Sequence, residues 1–438
     1  LILNLYLSIK NKVSLIFLFY EKYFPYNYLC PCKYDTKMKN LYFFNPDNEM
    51  AIANGNEYYT PPANILKMAD DLAYLPTYFS EVGDYVLMQG IPERSFLERQ
   101  ERIFRRGVRP VTWEETVSLE LNELRPWGWS PRMCRLFQTL RERTSTRFRQ
   151  GEQVRWEVGR EKWYSREMAS VCLRKLREYL SLPCGIEGER CDTMSGLVER
   201  VRERASVVKA PWSSSGKGVL MLPRGAISAK EQEWVSGILQ RQGFFMVEPK
   251  LNKVCDFAME FYIDADSSVK FLGISLFYTS KQGWYQGNYV GCAERIERKL
   301  ACYVEGTRLQ RLKEGLVNVL AEMYRGVYTG YLGVDMMIYR DEDGQFQVQP
   351  CVEINLRYNM GILACALGER DLHPESEGIF RVHFFSRPRE AWEHEKKMRE
   401  NNPLVLETGK ILSGYMALTP VAPTTRFIVD LLVTSTRT

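Results

Sequence analysis

Short apolar runs cut by Gly, Pro and Asn alternate along this chain with stretches in which charge and apolarity repeat at helical spacing. Asn40-Leu41-Tyr42-Phe43-Phe44, ended by Asn45-Pro46-Asp47-Asn48, predicts a buried first strand and its turn. Tyr85-Val86-Leu87-Met88 predicts a second strand after Gly83-Asp84. Helix-compatible sequence lies between the two, so a small parallel α/β unit is expected. Glu98, Arg99, Glu101, Arg102, Arg105 and Arg106 alternate in sign as on a solvated amphipathic helix. Further on, 205–209 and 219–222 predict two strands joined by a small-residue loop, and 244–248 predicts another strand, broken at Glu248-Pro249. Gly330 to Tyr339 and Gln345 to Asn355 predict a hairpin around Arg340-Asp341-Glu342-Asp343-Gly344.

Composition narrows the class. The 438 residues are 45% hydrophobic and 26% charged, enough for two or three globular domains with real cores. The net charge of +5 does not demand a nucleic-acid partner and suits an anionic substrate equally well. Between Arg94 and Arg166, however, sixteen Arg and one Lys face ten Glu, a local charge of +7, interleaved with Trp113, Trp127, Trp129, Trp156 and Trp163. Such interleaving can bind single strands, but the sign alternation favours a solvated helical face over nucleic acid. Eleven cysteines without repeated spacing read as reduced thiols of a cytoplasmic protein, not a disulfide frame or zinc site.

The first 37 residues lack Met, and their longest apolar stretch, Val13 to Tyr20, is too short to span a bilayer. Tyr28-Leu29-Cys30-Pro31 is no signal-peptidase site. Leu1 to Lys37 is therefore expected to be upstream sequence, with Met38 the natural start.

Chemistry concentrates in two segments. In the first, Lys209 precedes Ala210-Pro211-Trp212-Ser213-Ser214-Ser215-Gly216-Lys217-Gly218. Small residues let backbone N–H groups approach phosphate oxygens, hydroxyls add donors, and flanking lysines supply charge. It is not a Walker loop: Pro211 and Gly218 stand where that motif needs Gly and Ser or Thr. In the second, Asp335 interrupts an apolar strand, while Glu353 and Asn355, two apart, share one strand face, with Arg357 beside them if the strand continues. One Asp, one Glu and one Asn are hard oxygen ligands suited to Mg²⁺. His373, His383 and His394 lie at no metal-ligand spacing and read as surface or core residues.

These residues, in this order, resemble the ATP-grasp superfamily of carboxylate-amine and carboxylate-thiol ligases over roughly residues 160 to 385. The resemblance implies an α+β fold in which two α+β subdomains hold ATP between them, preceded by a small α/β domain. The implied divisions are 1–37 upstream, 38–160 pre-grasp-like, 161–385 grasp domain and 386–438 a C-terminal extension. By the same resemblance Lys209, Ser213, Ser214, Ser215, Gly216, Lys217 and Gly218 would bind nucleotide phosphates, and Glu248 with Lys250 would meet adenine and ribose. Asp335, Glu353 and Asn355 would bind Mg²⁺, two ions with Mn²⁺ able to substitute, and Arg357 with Lys209 would serve catalysis. Arg166 stands where the family commonly has Lys, keeping charge but not the compact contact. The implied reaction activates a small-molecule or peptide carboxylate as an acyl phosphate, captured by an amine or similar nucleophile. A cytoplasmic enzyme without membrane or nucleic-acid partners is expected, and a homodimer is compatible with it. The rival is a nucleotide- or peptide-binding module without ligation. Gln282 to Tyr289 is a candidate substrate loop.

Overall fold

The computed structural model describes residues 39–143, 156–181, 184–213 and 218–437. Leu1 to Lys37 and Ser214, Ser215, Gly216 and Lys217 of the expected phosphate loop lie outside the described residues.

The expected small α/β unit is present. Strands β1 (Lys39–Phe43), β2 (Tyr85–Leu87), β3 (Arg109–Val111) and β4 (Leu121–Pro126) form a parallel sheet in the order β3-β2-β1-β4. Leu41, Leu87, Val111 and Leu124 from these strands pack against Met133, Phe137 and Leu140 of the helix Pro131–Arg143. The charged helix forms over Arg94–Phe104 and buries Phe96, Ile103 and Phe104. Arg106 departs from the solvated face expected of it: the helix ends at Arg105 with left-handed φ, which turns Arg106 inward onto the Tyr78 carbonyl and the Asp371 carboxylate.

A second sheet contains β5 (Glu189–Cys191), β6 (Ser206–Lys209), β7 (Val219–Leu222) and β8 (Phe245–Pro249), antiparallel in the order β5-β8-β6-β7. Two helices, Met194–Glu203 and Ala229–Gln242, cover it, with Leu197, Val201, Val235 and Ile238 packed on Val208, Leu222, Phe245 and Val247. The second of these helices starts from a capping box between Ser228 and Glu231.

The third sheet has nine strands: β9 (Asn252–Ile263), β10 (Val269–Thr279), β11 (Tyr285–Val290), β12 (Gly330–Arg340), β13 (Phe346–Asn355), β14 (Ser376–Phe384), β15 (Val405–Glu407), β16 (Lys410–Ala417) and β17 (Phe427–Ser435). Their order is β13-β12-β9-β10-β11-β14-β17-β16-β15, with antiparallel neighbours throughout. Residues 386–438, expected as an extension, thus contribute β15, β16 and β17 to the same sheet as β9 to β14. The helices Glu167–Leu180 and Gly306–Met323 bury Cys172, Leu173, Leu176, Leu316, Val319 and Leu320 against Phe257, Met259, Leu332 and Val334. Two α+β parts follow a small α/β domain, as the fold class requires. No helix among the described residues is long and apolar enough to cross a membrane.

Candidate active site

The chain leaves the small antiparallel sheet at Pro249 and enters the large one at Asn252, so Lys250 and Leu251 bridge the two. Pro249 stays in register with Ser206, and the pairing runs one residue past it, the Lys250 N–H donating to the Ala205 carbonyl at 3.0 Å, so the proline does not break the ladder to β6. A cleft of about 1720 Å³ opens between these sheets and the α/β domain. Lys209, Ser213, Gly218, Glu248, Lys250, Asp335, Glu353, Asn355, Arg357 and Arg166 all line it. Residues expected from two distant segments therefore meet in one space.

The acidic part comes from the β12–β13 hairpin, which turns through Gly344 at φ +77°. Asp335 pairs with Glu353 and Gly333 with Asn355, so the three donors share one face. Asn355 Nδ2 donates to Asp335 Oδ2 at 3.1 Å. Burial, reinforced by the charges of Glu353 and Glu260, pushes the Asp335 carboxyl well above its ordinary range, against the pull of Arg357. A cation here would relieve that repulsion, and the donors are hard oxygens. The set fits Mg²⁺.

The basic part surrounds it. Arg166, just before the helix Glu167–Leu180, forms an ion pair with Glu353 at 3.0 Å and donates to Ser213 Oγ at 2.6 Å and to the Ala210 and Gly218 carbonyls. It thereby ties both described ends of the small-residue loop to the acidic hairpin. Lys209 pairs with Glu248 at 2.6 Å and donates to the Val352 carbonyl at 3.2 Å. Strand β13 ends at Asn355, short of the continuation to Arg357, but the Arg357 side chain turns back to donate to Asn355 Oδ1 at 3.0 Å. Its Nε meets Glu49 of the α/β domain. Although burial pulls its pKa down, Glu49, Glu353 and Asp335 raise it overall.

Two carboxylates escaped the sequence reading. Glu49 opens the first helix after β1 and joins the site only through a partner 308 residues away. Glu260 sits in β9, within Phe257-Ala258-Met259-Glu260-Phe261, the same signal of an acid in an apolar strand that singled out Asp335. It is 1% exposed, accepting from Ser275 Oγ at 2.9 Å and Asn359 Nδ2 at 2.8 Å. Burial lifts its carboxyl to about 7 despite those hydrogen bonds and Arg357. Gly333 and Gly361 make room for it, since a Cβ on either would collide with its oxygens. Asn359 also caps the following helix, accepting from the Ile362 N–H at 3.0 Å.

Around Gln282 to Tyr289 the chain makes a turn and then β11, and Gly283, Trp284, Tyr285 and Asn288 line the cleft. All nine described cysteines are free. His383 and His394, read as isolated, lie together against Asp430 because β17 pairs with β14 and returns Asp430 beside them.

No protein-family model matches the chain, and no curated protein matches it. Among solved structures, it overlaps N5-carboxyaminoimidazole synthetase from Staphylococcus aureus complexed with ADP, at 11% identity and TM-score 0.45, over 92% of this chain and 95% of that one. Biotin carboxylase from Campylobacter jejuni overlaps at 9% identity and TM-score 0.47, over 90% and 87%. L-amino acid ligase from Bacillus licheniformis overlaps at 14% identity and TM-score 0.43, over 91% and 94%. Likenesses this slight carry no functional weight.

Proposed function

We propose that this chain is an ATP-grasp ligase that uses ATP and Mg²⁺ to activate a substrate carboxylate for capture by an amine or similar nucleophile. The supporting observation is the meeting, in one cleft, of three oxygen donors on paired strands with Lys209, Arg166 and Arg357. Asp335, Glu353 and Asn355 would hold the metal, which when bound neutralises phosphate charge and orients the transferred group. Lys209 and Arg166, with Ser213 and the rest of the loop through Gly218, would bind the nucleotide phosphates. Glu248 and Lys250, where one sheet passes into the other, would border the base and ribose.

In the first step a carboxylate oxygen attacks the γ-phosphorus and ADP leaves, giving an acyl phosphate. The nucleophile then attacks the acyl carbon, phosphate leaves and the amine gives up its proton. Arg357 would steady the charge that develops on the transferring group. No protein nucleophile takes part. The cleft volume of about 1720 Å³ exceeds the roughly 300–1,000 Å³ of ordinary ligand sites, which suits a nucleotide together with small-molecule or peptide substrates. Residues 38–160 and 161–385 would act as the pre-grasp and grasp domains of a cytoplasmic enzyme.

One observation favours the rival, a binding module without ligation: Glu353 is paired with Arg166 and Glu248 with Lys209. The two readings part on turnover. Incubating the protein with ATP, Mg²⁺ and panels of carboxylates with amines should give sustained ADP release only when both substrates are present, with Mn²⁺ supporting the same reaction. Mg²⁺-ATP that raises the melting temperature without ADP release from any pair would support the module. No melting shift and no release would remove both.

A further inference from the structure

Away from the acidic hairpin, three metal-ligating side chains from three elements converge. His383 is near the end of β14, Asp430 is in β17, and His394 is on the helix Glu390–Asn401. His383 Nε2 lies 3.0 Å from Asp430 Oδ1 and His394 Nε2 lies 3.0 Å from Asp430 Oδ2. One ligand atom from each of the three falls within 4.8 Å of the others. The imidazole centroids are 5.0 Å apart, and the Phe385 ring packs against both.

Charge makes this more than a hydrogen-bonded trio. Asp430 is only 5% exposed, and among the described residues its ion-pair partners are the two histidines, with no Lys or Arg. Arg99 and Arg399 pair with Glu395, and Arg381, opposite Asp430 across β14 and β17, makes no ion pair with it. The buried Tyr415 hydroxyl faces the same carboxylate. A buried carboxylate held by two imidazoles and a hydroxyl, with no Lys or Arg paired to it, is a place where a cation can bind.

We infer that His383, His394 and Asp430 form a binding site for a divalent transition metal, zinc by its donor set, joining the helix Glu390–Asn401 to β14 and β17. Two imidazoles and one carboxylate suit Zn²⁺, in contrast to the all-oxygen set of the cleft. Zn–N and Zn–O bonds of about 2.0–2.1 Å give ligand-to-ligand separations of roughly 3.3 Å in a tetrahedron; one ligand atom from each residue already lies within 4.8 Å of the other two, so small side-chain rotations suffice. Binding requires each imidazole proton on Nδ1, leaving Nε2 its lone pair. Three protein ligands leave a fourth position for water. His383 also lines the cleft, which puts the ion at its rim.

Co²⁺ is the direct probe, titrated into the full chain with excess Mg²⁺ occupying oxygen-rich sites. The expected result is one equivalent bound with visible ligand-field bands, displaced by Zn²⁺, and a higher melting temperature with Zn²⁺. His394→Ala and Asp430→Asn should each lose the bands, whereas Glu353→Gln should keep them. Should those variants not fold, nitrogen-detected spectra of the parent protein decide: Zn²⁺ should shift two of the three histidine rings and leave His373 unmoved. Absence of bands and of a Zn²⁺-dependent melting shift in the parent overturns the site. So do bands lost in Glu353→Gln alone, or ring shifts confined to His373.

Discussion

Arg166 and Glu353, 187 residues apart, form the ion pair that closes the basic side of the cleft onto its acidic floor, with Arg166 Nε 3.0 Å from Glu353 Oε1. Each is the kind of group the other's proposed ligand would use. In the ligase reading, a metal ion on Glu353 and a phosphate on Arg166 would substitute for this contact. Arg166→Met should then weaken Mg²⁺-ATP binding by roughly tenfold to a hundredfold, from the 1.5–3 kcal/mol typical of charge-assisted hydrogen bonds. Titration calorimetry reads it, and unchanged affinity would confine Arg166 to holding the loop ends.

Lys209 and Glu248 pair at 2.6 Å with both side chains largely covered. Lys209→Ala should weaken ATP binding on the same scale and also lower stability, because Glu248 is left without its partner. Adding Glu248→Gln should restore much of the stability and none of the ATP affinity. Restoration of both in the double variant would mean that Lys209 serves only Glu248.

Glu260 gives a pH signature. Its folded-state carboxyl titrates at about 7, above its ordinary 4.5, so between those values the unfolded chain has lost a proton that the fold retains. Stability from this group is therefore full below about 4.5, falls as pH rises to about 7 and is flat beyond. Glu260→Gln, which keeps the shape and removes the charge, should be more stable than the parent at pH 8, by up to about 3 kcal/mol, and equal to it near pH 4.5. Metal-free denaturant melts across this range provide the check. A difference that does not change with pH would show that the carboxyl titrates normally.

Local signals were legible in the chain because they are properties of one segment. The β12–β13 hairpin follows from its alternation and turn, and pairing then had to put Asp335 opposite Glu353. The parallel α/β unit followed from strand-helix-strand spacing in the same way. What escaped depends on distant partners. Glu49 opens an ordinary helix until Arg357 arrives, Arg106 looked like part of a charged face until Asp371 offered it a buried partner, and His383 and His394 gained their carboxylate only when β17 paired with β14. Glu260 is the exception. Its signal was present and identical to that of Asp335, but nothing local separates an acid that lines a cleft from one that ends a pairing.

The sharpest test of the metal reading is Glu353→Gln. Glu353 faces two opposing influences: it repels Asp335 across the hairpin, helping to push that carboxyl up, and it attracts Arg166. Neutralising it relieves the first and weakens the second, while the amide can still accept from Arg166. The two changes offset, so the melting temperature without metal should move little. In the ligase reading the cost falls elsewhere: one of the two anionic donors, Asp335 and Glu353, is lost, and with it the neutralisation that the transferring phosphoryl group requires. ADP release should drop to background with ATP binding only moderately weaker, and the rise in melting temperature on adding Mg²⁺-ATP should shrink. Asp335→Asn should behave the same way and melt higher than the parent without metal, because it removes a carboxyl whose charged form is disfavoured first by burial and then by Glu353 and Glu260. Normal turnover in either variant would show that these carboxylates do not hold a catalytic metal, and the ligase assignment would fall with them.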